Sequence, residues 1–388
     1  MIYLHLINDE KFTDFTISLF EEFNPGKNRF FVSVNNHKAQ PIYTKISDKP
    51  TFFTTGSKEY YRAIKKAEFD VLVIHYLDYF KSRAVLKTSK KKIIVWLSWG
   101  ADIYSTEFFK GSLYQERTLK LISDLHTPAN KLKDYFRNLY YLLFLKIPPT
   151  TAFRKAVAKV DFCSTVISQE FTILQSWPFF KARQVPFSYA SIENDFQINN
   201  IKENKIDGCG ILVGNSISPT SNHLDVFEKL KRLNVEDRPI IVPLNYGLEI
   251  DYRNEIVQSG RKLFGPEFTP LINFIPKNEY IRILTTCNIA ILNHDRQQGL
   301  GNVILLLWLG CKLFLSEISV VFLHLKSLGF HIFSFQSELD KLSIACPLTI
   351  DHIIHNRHLL LKEYGKENVN KKINSLLSIV SDTHPKNN

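Results

Sequence analysis

One loop carries the residue types best suited to holding an anion. His294-Asp-Arg-Gln-Gln-Gly-Leu-Gly-Asn302 is polar, with two glycines and one arginine, and it lies between apolar runs. Upstream, Asn288-Ile-Ala-Ile-Leu-Asn293 reads as a short buried strand. Downstream, Val303-Ile-Leu-Leu-Leu-Trp-Leu309 reads as an apolar helix ended by Gly310, and Lys312-Leu-Phe-Leu-Ser316 opens the next strand. A strand–loop–helix junction leaves backbone N–H groups without partners at the helix N-terminus, where an anion is stabilised. Gly299 and Gly301 allow the main chain to approach a ligand closely. Arg296 can engage phosphate through a bidentate fork. This is the chemistry of a diphosphate site. An ordinary tight turn between strand and helix is the other reading of the same glycines.

Asp102 is the candidate catalytic base. It follows a strand (Ile93–Leu97), a tryptophan and a glycine in Ser98-Trp-Gly-Ala-Asp-Ile-Tyr104. A carboxylate there can take a proton from an acceptor hydroxyl within hydrogen-bond reach, or it can simply cap the following helix. His75, at the end of another strand, reads as a packed or substrate-contacting residue rather than a base. Two more polar loops follow strands, Gly214-Asn-Ser216 and Asn245-Tyr-Gly247. Three such loops are expected to meet beyond the C-terminal ends of one parallel sheet, where ligands bind in α/β folds.

The elements that must position these residues alternate. Tyr3–Ile7, Arg29–Val34, Val71–Tyr76, Ile93–Leu97 and Val160–Val166 read as strands; Phe12–Phe23 and Lys58–Ala67 have helical spacing. The second half repeats the pattern. Strands begin at Gly210, Pro239 and Leu271, the last covering Leu271–Ile275. Helices begin near Ser221, at Asp251 and at Asn278. Alternating β and α predicts parallel sheets covered by helices. The polar stretch Phe187–Asp207 is the expected linker, giving domains 1–190 and 205–388 of this 388-residue chain.

Five cysteines form no Cys-x-x-Cys pair, and none has a histidine nearby at ligand spacing, which argues against structural zinc and a disulfide scaffold. The start, Met1-Ile-Tyr-Leu-His-Leu-Ile, lacks the basic region of a signal peptide, and no apolar run approaches the roughly 20 residues that span a bilayer. A cytoplasmic or membrane-peripheral protein is the expectation. The net charge of +11 points to an anionic partner. Between Lys110 and Val160 ten Lys and Arg face three acids. That segment includes Lys131–Lys146, rich in aromatics and flanked by cations, which suits contact with a membrane surface; a core helix with solvated ends is the alternative. No nucleic-acid module is present, so no nucleic-acid partner is expected.

Four stretches together resemble a known family. Trp99-Gly-Ala-Asp-Ile-Tyr104, Ile211-Leu-Val-Gly-Asn-Ser216 with Asn222-His223, Val242-Pro-Leu-Asn-Tyr246 and Arg296-Gln-Gln-Gly-Leu-Gly301 are similar, in order and spacing, to the TDP-N-acetylfucosamine:lipid II N-acetylfucosaminyltransferases of glycosyltransferase family 56. The resemblance implies the α/β GT-B architecture, two Rossmann-like domains facing across a cleft, with acceptor in the first and nucleotide-sugar in the second. It implies hexosyl transfer of a deoxy-amino sugar, N-acetylfucosamine-like, from a TDP-linked donor to a polyprenyl-diphosphate-linked saccharide at the inner face of the cytoplasmic membrane. Arg296 and the N–H groups of Gly299, Gly301 and Asn302 are then expected at the diphosphate. Gly214, Asn215, Ser216, Asn222, His223 and Tyr246 are expected around the donor, and Gln297 and Gln298 on sugar hydroxyls. With no Asp-x-Asp motif in a suitable loop, no metal or other cofactor is expected; cationic and backbone groups would stabilise the leaving group. Two alternatives use the same fold: a nucleotide-sugar 2-epimerase, and a non-enzymatic protein binding an anionic polymer.

Overall fold

The computed structural model describes residues 1–36, 38, 40–109, 111–125, 136, 147–195, 206–235 and 237–383. The chain divides into two compact units. One comprises Met1–Phe108, Tyr135–Asp195 and Tyr364–Asn388, the other Phe109–Asp134 and Phe196–Glu363. The expected membrane segment 131–146 lies, apart from Phe136, outside the described residues, as do linker residues 196–205.

The first unit is built on seven strands: β1 (Tyr3–Asn8), β2 (Asn28–Val34), β3 (Pro50–Thr54), β4 (Val71–His75), β5 (Ile93–Leu97), β6 (Phe162–Ser164) and β7 (Arg183–Gln184). Their order in the sheet is β3-β2-β1-β4-β5-β6-β7, with every pair parallel. The central strands β1 and β4 are largely apolar because both faces are covered: Leu4, Leu6, Val71, Leu72, Val73 and Ile74 are all fully buried, as are His5 and His75 within them. The helix Thr13–Phe23 packs Ile17 and Phe20 onto this core. The helix Lys58–Lys66 starts where the Ser57 hydroxyl accepts the Tyr60 N–H.

The second unit has six strands: β8 (Gly210–Val213), β9 (Ile240–Pro243), β10 (Phe268–Leu271), β11 (Cys287–Leu292), β12 (Lys312–Leu315) and β13 (Phe333–Ser334). They are again all parallel, in the order β10-β9-β8-β11-β12-β13. The chain leaves β8 in one direction through β9 and β10, then crosses back to place β11 on the other side of β8. The crevice beyond β8 and β11 is therefore the topological switch point.

The two units are not the contiguous halves 1–190 and 205–388. Lys366–Thr383 forms a helix whose Val369, Ile373, Leu376 and Val380, one stripe at helical spacing, join the apolar core of the first unit. Glu116–Leu125 forms a helix whose Leu121 and Leu125 pack against the core of the second. One strand is also displaced. The apolar run 271–275 reads as a strand, but β10 begins upstream: Phe268 is buried against Phe227, whereas Phe274 is 84% exposed. Pro270 is tolerated because β10 is an edge strand.

Candidate functional site in the second unit

Three loops leave the C-terminal edge of the β10–β13 sheet and meet. Gly214 ends β8 with φ +70, and a Cβ there would lie 2.6 Å from His223 Nε2. Gly299 opens the third loop's helix with φ +64, and its Cβ would lie 2.6 Å from Asn215 Nδ2. Both positions need glycine on two counts, backbone conformation and space. The Ile217 N–H donates to the Tyr246 carbonyl at 3.0 Å and draws in the loop after β9.

Gln298 is the hub. Its Nε2 donates to Asn215 Oδ1 at 3.0 Å, Ser221 Oγ at 3.3 Å and Ser216 Oγ at 3.5 Å. Its Oε1 accepts from Arg296 Nε at 3.0 Å and from the Thr220 hydroxyl. Arg296 Nε also reaches Thr220 Oγ1 at 3.2 Å. The arginine is thus held by its inner nitrogen and its direction is set. Beside it begins the helix Leu300–Leu309, which buries every residue from Val303 to Leu309 and stops at Gly310 (φ +94). The N–H groups of its first turn have no carbonyl to bond within the helix. Gly301 is exposed and Asn302 half-buried, while Gln297 is buried and Tyr246 is 53% exposed.

Two imidazoles stand next to this loop system. His223, fully buried, bonds Tyr252 Oη through Nδ1 at 3.1 Å, and its Nε2 has no hydrogen-bond partner among the described residues. His294 Nε2 is likewise buried without one. Burial holds both rings down at about 3, so both are neutral. A buried polar atom without a partner is rare in a native structure, and two together mark an unusual place.

The structure assigns some expected site residues to scaffolding instead. Asn222 is fully buried in the left-handed conformation (φ +50). It donates to the Asn293 carbonyl at 3.0 Å and accepts the Gln115 N–H at 2.9 Å, so it joins loops rather than facing a ligand. The Gln298 amide is consumed by its neighbours, which withdraws it from sugar hydroxyls. Asp102 lies in the first unit. Its Oδ2 accepts from Leu77 N at 2.9 Å and Trp96 Nε1 at 2.8 Å, its Oδ1 from Trp99 N at 3.0 Å. At 2% exposed it presents no oxygen to an acceptor hydroxyl. Burial raises its pKa and the three hydrogen bonds oppose that rise. Asp102 pins the turn after β5 to the end of β4. His75 is packed, not substrate-facing, with its two nitrogens on His5 and Tyr189.

Sequence reasoning missed Gln115, Thr220, Ser221, Asn293, Asp295 and Ser316. Gln115 Nε2 donates to Asn293 Oδ1 at 3.0 Å and Asp295 Oδ1 at 3.1 Å, its Oε1 accepts from Asn293 Nδ2 at 2.7 Å, and Ser316 Oγ donates to Asp295 at 2.5 Å. Asn293 and Asp295 were visible as polar residues flanking the strand end. Gln115 lies 178 residues from Asn293, and no local spacing signals that pairing. Among the described residues no three His, Cys, Asp or Glu are placed to hold a metal ion, and no helix is long and apolar enough to cross a membrane.

Comparison with known proteins agrees with this architecture. Solved structures similar across 98% of the chain are GT-B glycosyltransferases. They include Anabaena Alr3699/HepE in complex with UDP and glucose (12% identity, TM-score 0.62, 100% of that chain) and sucrose-phosphate synthase from Thermosynechococcus elongatus (11%, 0.59, 100%). Alpha,alpha-trehalose 6-phosphate synthase from Burkholderia multivorans is similar too (9%, 0.60, 100% of that chain). At these identities the likeness is one of fold: two Rossmann-like domains. The family model described as 4-alpha-L-fucosyltransferase glycosyl transferase group 56 matches residues 155–368, more than half of the chain and nearly all of the second unit's sheet and loops. The chain is a glycosyltransferase and belongs to glycosyltransferase family 56.

Proposed function

We propose that this glycosyltransferase moves a deoxy-amino sugar, N-acetylfucosamine-like, from a TDP-linked donor to a polyprenyl-diphosphate-linked saccharide at the inner face of the cytoplasmic membrane. The observation that carries the donor half is the meeting of three loops at the β8/β11 switch point, with Arg296 held by its Nε beside a helix N-terminus. The acceptor half and the membrane rest on the family resemblance and the basic aromatic segment 131–146.

Leaving-group departure puts negative charge on the diphosphate. Arg296 and the first N–H groups of the helix Leu300–Leu309 are preset donors for that charge, so they stabilise the transition state without reorganising. Gly214, Asn215 and Ser216 line the approach from β8, Tyr246 offers a ring to ribose or base, and Gln297 remains for a sugar hydroxyl. His223 stands behind Gly214 and can hand Nε2 to the ligand only if the turn relaxes. Catalysis in this reading is metal-independent.

The test is calorimetric titration with TDP, UDP and GDP. One diphosphate should bind. Arg296→Ala should weaken it about 10- to 100-fold, the loss expected for charge-assisted hydrogen bonds. EDTA should leave both binding and sugar transfer unchanged. A folded wild-type protein that binds none of the three would end the donor-site reading.

A further inference from the structure

The strand-less stretch before the helix Glu116–Leu125 runs past the loops just described, although in sequence it belongs to the first half. It is pinned on both sides of Tyr114. On one side the Gln115 amide grips Asn293 and Asp295, the residues flanking His294, and the Gln115 N–H is accepted by Asn222. Beyond it, the Asp225 carboxylate accepts from Arg117 N at 2.9 Å, Thr118 N at 3.1 Å and Thr118 Oγ1 at 2.7 Å, while the Arg117 guanidinium pairs with Glu228 at 2.6 Å. On the other side Leu113 is buried, 8% exposed. Tyr114 between these anchors is half-buried; burial raises the pKa of its hydroxyl and the charge of Arg296 opposes the rise.

We propose that residues 113–118 complete the nucleotide site, with Tyr114 contacting the donor diphosphate and Gln115 positioning the loop that presents Arg296. The inference rests on the diphosphate reading above and extends it to residues outside the family match. The physical reason is placement: Tyr114 is the neighbour of Gln115, which is bonded to the two residues flanking His294 in the loop that carries Arg296, and a phenol hydroxyl there can donate to a diphosphate oxygen. Gln115 acts at one remove. By bonding Asn293 and Asp295 with both ends of its amide, it sets where the loop leaves β11 and so where Arg296 points.

The experiment compares nucleoside diphosphates (TDP, UDP, GDP) with their parent nucleosides by calorimetry on wild type, Tyr114→Phe, Gln115→Ala and Arg296→Ala, with melting temperatures taken alongside. Tyr114→Phe removes only an oxygen from a half-buried ring. It should lower diphosphate affinity about tenfold while leaving nucleoside affinity in place. Gln115→Ala should narrow the same diphosphate-to-nucleoside ratio, whereas a purely structural loss would lower both affinities together. If Arg296→Ala weakens diphosphate binding as expected but the other two variants keep the wild-type ratio, the strap is scaffolding and the proposal falls while the donor reading stands. If folded wild type binds no diphosphate, both fall. Should Gln115→Ala not fold, Tyr114→Phe decides alone.

Discussion

At the scale of residues, the buried imidazoles set the pH behaviour of both units. In the first unit Tyr189 donates to the Leu97 carbonyl at 2.9 Å, which leaves its oxygen to accept from His75 Nδ1 at 3.1 Å, and His75 Nε2 to accept from His5 Nδ1 at 3.1 Å. Each neutral ring then spends its one N–H, and His5 Nε2 faces Asn28 Oδ1 across the longest gap, 3.3 Å. Burial prevents an added proton from filling that gap: it holds His5 at about 3 and pulls His75 down as well. The unfolded chain takes these protons near 6.5, so below that pH it binds more protons than the folded chain. Stability is therefore highest above 6.5 and falls as pH drops, by up to about 1.4 kcal/mol per pH unit for each such histidine. His223 and His294 do the same for the second unit. Urea midpoints at pH 7.5, 6.5 and 5.5 should fall in that order, and a flat series would remove the neutral-imidazole account.

Asp102 makes a second prediction at this scale. In Asp102→Asn one oxygen becomes an NH2 donor, so whichever way the amide is turned at least one of the Leu77, Trp96 and Trp99 N–H groups loses its acceptor. The expected cost is about 1–3 kcal/mol, measured by urea denaturation, with TDP affinity unchanged. A variant of wild-type stability that had lost only turnover would return Asp102 to the chemistry.

At the scale of elements, the C-terminal helix matters more than its place at the chain end suggests. Val369, Ile373, Leu376 and Val380 fall on one face, and the last three are completely buried in the first unit. Leu376→Ala should cost about 2–5 kcal/mol through the cavity it leaves. The loss should appear in the first unit's unfolding transition while diphosphate binding, proposed for the second unit, persists below the melting temperature. Equal loss of binding at low temperature would contradict that separation. The helix Leu300–Leu309 shows the opposite balance. Its apolar run and terminal Gly310 were plain in the sequence, and Gly310 is indeed the only residue type that fits φ +94 with Ile353 Cδ1 2.8 Å from a would-be Cβ.

At the scale of the whole molecule, the charge of +11 gives the proposed membrane contact a measurable signature. Vesicles of about one-third anionic lipid should carry the protein on flotation at low salt and release it in about 0.5 M salt, where the Debye length is only a few ångströms. Retention on neutral vesicles regardless of salt would point to apolar insertion instead.

What the sequence determined by itself was everything written in short-range pattern. Apolar runs identified most of the parallel strands, though 271–275 was read a few residues too late, helical spacing identified helices such as Thr13–Phe23, and Gly214, Gly299 and Arg296 marked the loops proposed to carry the chemistry. The family could be named from four such stretches. Tertiary structure alone decided the rest. It spent the Gln298 amide and Asn222 on joining loops, closed Asp102 inside a turn, returned Lys366–Thr383 to the first unit, and brought Gln115 to Asn293 across 178 residues. The reason is the reach of each cause. Periodicity and turn chemistry act over a few residues and leave their trace in local order. Which polar side chain meets which depends on how a crossover returns the chain to the sheet edge, and on the demand that every buried donor find an acceptor once it has.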